Sequence, residues 1–118
     1  MSFDLAVWHE STTAEEAPRK YAELTTLEPE VLERHPRAVA FHRDLTARYP
    51  ELADVPADEL GSCPWATAMT VAGDGVVMSM SWSCSDAVVE YIQELARRHG
   101  LVLYDPQDGT AYPPGAAA

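Results

Sequence analysis

Four histidines, His9, His35, His42 and His99, are the residues of this chain best suited to proton transfer or metal ligation. Imidazole titrates near neutrality and binds metals through either nitrogen. Their spacing serves neither purpose. No two stand at the short separation that puts a pair of ligands on one helix face. His35 and His42 are seven apart, but Pro36 interrupts a helix joining them. His99 follows Arg97-Arg98, where basic groups complement the negative end of a helix. No metal site is expected. Acidic residues number 19, so any one carboxylate is weak ground for acid-base catalysis. Asp54, Asp58 and Glu59 lack the alternating ligands and the glycine of a calcium loop. Gly73-Asp74-Gly75 separates two apolar runs, which favours a hairpin turn over a phosphate-binding loop. No Ser-His-Asp or Cys-His set is legible. No catalytic residue and no cofactor is assigned, and a non-enzymatic role is favoured.

Two groups of residues remain as binding candidates. The first is aromatic. Trp65, Trp82, Tyr104, Asp105 and Gln107 are expected at one edge of a sheet, combining large apolar area with hydrogen-bonding groups. Either each tryptophan closes one end of a small core, or the edge forms a pocket or docking site. The second group is acidic. Glu51, Asp54, Asp58 and Glu59 crowd residues 51–64, a connection without clear periodicity and without Lys or Arg. Such a segment either carries charge for solubility or steers a basic partner.

The elements that must position these groups follow from periodicity. Phe3 to Trp8 alternates as a strand, with Phe3, Leu5 and Val7 on one face and Asp4, Ala6 and Trp8 on the other. Ser11-Thr12-Thr13 before Glu15-Glu16 signals a helix start, Pro18 suits its first turn, and Tyr21, Leu24 and Leu27 form a thin stripe. Glu30 to Arg34 is at most a helical turn. From Pro36, the residues Ala38, Phe41, Leu45 and Tyr49 mark one face of a helix ending at Pro50. Trp65 to Ala72 and Val76 to Trp82 read as a hairpin. Ser83 to Ser85 with Asp86 opens a helix bearing Val88, Tyr91, Ile92 and Leu95, which Gly100 caps. Leu101 to Tyr104 is the last strand.

The order β-α-α-β-β-α-β implies an α+β domain on a ferredoxin-like βα(α)ββαβ plan. That plan is a four-stranded antiparallel sheet in spatial order 4-1-3-2 with its helices on one face. Residues 1–110 form the single domain and 111–118 a C-terminal tail. The helix-free face would carry Ala6, Trp8, Ala66, Ala68, Thr70, Ser79, Ser81, Val102 and Tyr104. So little charge suggests burial, and a homodimer through Trp8, Ser79, Ser81 and Tyr104 is expected. Hairpin register places Cys63 opposite Cys84, where a cytosolic setting favours free thiols packed beside Trp65 and Trp82 over a disulfide between them.

The opening Ser2-Phe3-Asp4-Leu5-Ala6-Val7-Trp8, the Ser81-Trp82-Ser83 stretch and the closing Gly100-Leu101-Val102-Leu103-Tyr104-Asp105-Pro106-Gln107 resemble a family of small acidic proteins common in actinobacteria. The resemblance implies a bacterial, cytosolic protein and brings no activity with it. Composition agrees. The chain has 118 residues and a formal net charge of −11, with eight bases against 19 acids, which disfavours a nucleic-acid partner. No apolar run approaches the roughly 20 residues of a membrane span, and the N-terminus lacks a secretory pattern. The expected function is an acidic cytoplasmic binding module, of the kind that immunity proteins use against a basic toxin. The alternative is a dimeric α+β-barrel enzyme or small-molecule binder with a cavity between paired sheets.

Overall fold

The alternation of β1 (Ser2–Trp8) puts this strand at the centre of a sheet, with an apolar side chain owed to each face. The computed structural model describes residues 2–13, 15–26, 33–81, 85–107 and 109–113. Around β1 lie α1 (Ala17–Thr26), α2 (Pro36–Arg48), β2 (Thr70–Ala72), β3 (Gly75–Ser81), α3 (Asp86–Arg98), β4 (Val102–Asp105) and β5 (Thr110–Tyr112). The molecule is an α+β domain with an antiparallel five-stranded sheet in the order β2-β3-β1-β4-β5.

The face bearing Leu5, Val7, Val76, Met78 and Leu103 is covered by α2 and α3. Their apolar positions recur at helical spacing, Ala38, Phe41 and Leu45 on α2 and Val88, Ile92 and Leu95 on α3. Phe41, Leu45 and Ile92 are fully buried. Each contributes on the order of 2 kcal/mol by leaving water. Pro36 begins α2, and the His35 side chain accepts a hydrogen bond from the Arg37 N–H at its start. Gly100, at φ +67°, ends α3 in a conformation that L side chains rarely adopt.

Three sequence expectations need correction. The helices do not share one face. Ala6, Trp8, Val102 and Tyr104 form a second apolar surface, and α1 covers it with Ala17 and Leu24, Tyr21 packing alongside. Gly75 shows how close α1 lies: a Cβ there would stand 2.6 Å from Leu24 Cδ1 and 2.7 Å from the Val7 carbonyl oxygen. The capping box at the start of α1 forms as its sequence implies, since Thr13 and Glu16 bond reciprocally through side chain and backbone. Second, the sheet has a fifth strand. Thr110–Tyr112 pairs with β4, so the folded unit runs two residues past the boundary at 110. Third, the strand expected over 65–72 is broken. β2 pairs with β3 in the expected register, Thr70 opposite Val77, but Trp65 stands opposite Met80. Between these pairs four residues, 66–69, face two, 78 and 79; the Ala66 N–H still donates to the Ser79 carbonyl at 2.9 Å, and 67–69 leave the ladder. Cys63 is a buried free thiol. Cys84, Trp82, Leu27 and most of the 30–34 turn lie outside the described residues.

Candidate functional site

The acidic connection is built into the fold from both ends. Pro50 stops α2, and Glu51 then anchors the residues after it. One carboxylate oxygen bonds His42 Nε2 at 2.8 Å, and the other accepts the Met69 N–H at 3.1 Å. Two 3-10 helices, Leu52–Asp54 and Ala57–Ser62, fill the segment between. Leu52 and Val55 pack against the core, while Asp54, Asp58 and Glu59 are exposed. At the far end the Trp65 indole N–H donates to the Tyr49 carbonyl at 3.1 Å, closing the loop on the end of α2.

This closure leaves a cleft of about 160 Å³. Its apolar walls come from Tyr49, Pro50, Val55, Pro56, Cys63 and Pro64, and its carboxylates from Asp54 and Glu59. Tyr49 meets Tyr91 edge to face at 5.7 Å, and the exposed Arg48 guanidinium lies over both rings. The chemistry on offer is recognition of a cation attached to an apolar stem.

The aromatic edge expected from sequence does not assemble. Trp65 is 2% exposed on the α2–α3 side, whereas Tyr104 is 4% exposed beneath α1. They sit on opposite faces of the sheet. Trp8 is fully buried, its indole N–H donating to Thr12 Oγ1 and its ring 5.5 Å from that of Tyr104. These two residues are therefore unavailable to a second copy, and α1 occupies the space that a cavity between paired sheets would need. Ser81 is half-buried at the end of β3.

Asp105 and Gln107 serve the sheet. Pairing of β1 with β4 stops at Ala6, and the Gln107 side chain takes over as a neighbour for Asp4. Its Oε1 accepts the Asp4 N–H and its Nε2 donates to the Asp4 carbonyl, each at 2.7 Å, while Asp105 Oδ1 fixes the amide. The Asp4 carboxylate then receives the hydroxyls of Ser79 and Tyr21.

Burial, with the Asp4 charge and hydrogen bond behind it, pushes the Tyr21 phenol up from 10.0 to about 12. The folded value lies above the unfolded one. Stability is thus intact below pH about 10 and is lost as pH rises toward the folded value. In an absorbance titration of tyrosinate, Tyr21 should ionise late. A late step should be lost in Tyr21→Phe; a late step unchanged by that substitution, or no late step in the wild type, would refute the contact.

Sequence reasoning missed one strong feature. Lys20, 6% exposed, is buried with α1 against the hairpin. Its ammonium lies 2.6 Å from Asp74 and 3.3 Å from Glu10, and Asp74 also accepts the Glu10 N–H. The available signal was that the chain's single lysine falls between Ala17 and Leu24 at helical spacing, on the buried side of α1. Tyr49 and Cys63 were also not recognised as cleft residues, because the packing of three prolines around them has no periodic signature. Among the described residues, no group of three or more His, Cys, Asp or Glu side chains is arranged to hold a metal. No described helix is long and apolar enough to cross a membrane. Compared with protein-family models, curated proteins and solved structures, the chain matches none.

Proposed function

We propose that this chain is a non-enzymatic binding module that receives a basic protein on the surface formed by residues 49–64. One observation carries the reading: Asp54 and Glu59 flank a cleft with apolar walls, on a segment pinned by Glu51 rather than left loose. The net charge of −11 supports it, since a field of one sign accelerates encounter with a partner of the other. Neutralisation of a cationic toxin by an immunity-like protein is the form of function that best suits such a surface. Within the sheet, the order of β1 to β4 supports a ferredoxin-like core, to which α1 and β5 are additions. The test is the association rate of a basic probe with the wild type and with a variant neutralised at Asp54, Asp58 and Glu59. Slower, less salt-sensitive association is expected.

A further inference from the structure

Cys63 adds a second observation at the same cleft. The residue is 9% exposed, it is a free thiol, and it lines the wall together with Pro56, Pro64 and Val55. A thiol is a weak donor that a buried site normally satisfies or surrounds with apolar groups. Cys63 belongs to the apolar core cluster and also lines a space of about 160 Å³. The wall is thus soft and apolar, and both full charges, Asp54 and Glu59, are negative and exposed to solvent. Arg48, the neighbouring base, is drawn over the rings of Tyr49 and Tyr91 and donates to the Tyr49 hydroxyl.

We infer that the cleft takes one cationic side chain of the partner, its aliphatic stem against Cys63 and the prolines and its ammonium or guanidinium head held by Asp54 and Glu59. The match is of polarity along the length of the guest. Lysine and arginine both bury a methylene stem while keeping the charged head at a wet rim. A neutral apolar guest would gain nothing from the two carboxylates, and an anionic one would be repelled by both. This inference rests on the binding-module reading and narrows it to a side-chain class.

The experiment uses the full chain carrying Cys84→Ser, so that Cys63 is the sole thiol. Alkylation of Cys63 by iodoacetamide is followed in the presence of n-butylammonium, n-butylguanidinium or butyrate, with sodium chloride matching the ionic strength. Both cations should slow alkylation saturably, by about tenfold when the cleft is nearly filled, whereas butyrate and salt should not. Adding Asp54→Asn with Glu59→Gln should weaken the protection about tenfold, as expected when charge-assisted hydrogen bonds are lost. Amide shifts induced by the cations should centre on residues 49–63. The stronger of the two cations identifies the preferred head group. Equal protection by butyrate, protection unchanged in the double variant, or a thiol that never reacts in the folded chain would each overturn the inference. If the cations fail while neutralised acids still slow a basic protein, the side-chain inference falls and the binding-module reading stands. If both fail, both fall.

Discussion

Replacing Asp74 with alanine should lower stability by about 3 kcal/mol, the lower end of the cost of breaking a buried ion pair. The Lys20 side chain is 8% exposed and that of Asp74 18%, so the pair is largely screened from water. Without Asp74 the ammonium keeps only Glu10, which is 53% exposed and farther away. The Glu10 N–H also loses its acceptor. Because this clamp joins α1 to the β2–β3 turn, its loss should loosen α1 and admit water to Trp8 and Tyr104. Burial alone would push the Asp74 carboxyl up, but its bonds to Lys20 and to the Glu10 N–H hold it below its ordinary value. Burial would likewise push Lys20 down, and Asp74 and Glu10 raise it above its ordinary value instead. The carboxylate's contribution is present above its unfolded pKa and is lost as pH falls through the lower folded value. The lysine's contribution is present below its unfolded pKa and is lost as pH rises through the higher folded value. Urea denaturation near neutral pH measures the whole effect. A loss under about 1 kcal/mol, the scale of an exposed ion pair, would mean that the clamp is solvated.

Glu51→Ala should cost about 2 kcal/mol, because it strips a buried N–H of its acceptor and a histidine of its partner. The Glu51 side chain is 20% exposed and that of His42 27%, and Met69, whose N–H is released, is 8% exposed. Glu51→Gln, which retains an acceptor oxygen, should recover part of the loss. In contrast, neutralising Asp54 and Asp58 together should leave the denaturation midpoint nearly unchanged, since both are exposed. The contrast separates acids that hold the connection in place from acids that face a partner. Equal costs for the two changes would show that the connection is not anchored as described.

The sequence treated these four acids alike, and that is where its resolution ended. Local signals were sound. The Thr13–Glu16 capping box, the Pro36 start of α2, the Gly73-Asp74 turn and the Gly100 cap each depend on neighbours in the chain, and each was legible. The alternation of β1 was legible too, and it assigned Ala6 and Trp8 to the second face. Which helix would cover that face was not legible, because the stripe of Ala17, Tyr21 and Leu24 is short and includes the buried Lys20. A lysine on the inner side of a helix reads as polar until Asp74, fifty-four positions away, neutralises it. The same holds for Glu51, whose partners at 42 and 69 come from flanking elements. The fifth strand was missed because Thr110–Tyr112 is three residues long and ends beside a proline. Trp65 and Tyr104 were grouped by sequence at one edge, but they are buried on opposite faces of the sheet under different helices.

The most direct measurement is the association rate of an arginine-rich peptide, against ionic strength, compared with its citrulline counterpart. Three proteins are needed: wild type, Asp54→Asn/Asp58→Asn/Glu59→Gln, and a control neutralised at the exposed Glu15, Glu33 and Glu90. The control carries the same net charge as the cleft variant, so it removes the general field as an explanation. The expected result is a rate about tenfold lower for the cleft variant at low salt, with most of its salt dependence gone. The control should stay within about twofold of wild type, and the citrulline peptide should not distinguish the three. Equal slowing of both variants, or no slowing of either, would contradict a binding surface at residues 49–64 and leave the charge of this chain to solubility alone.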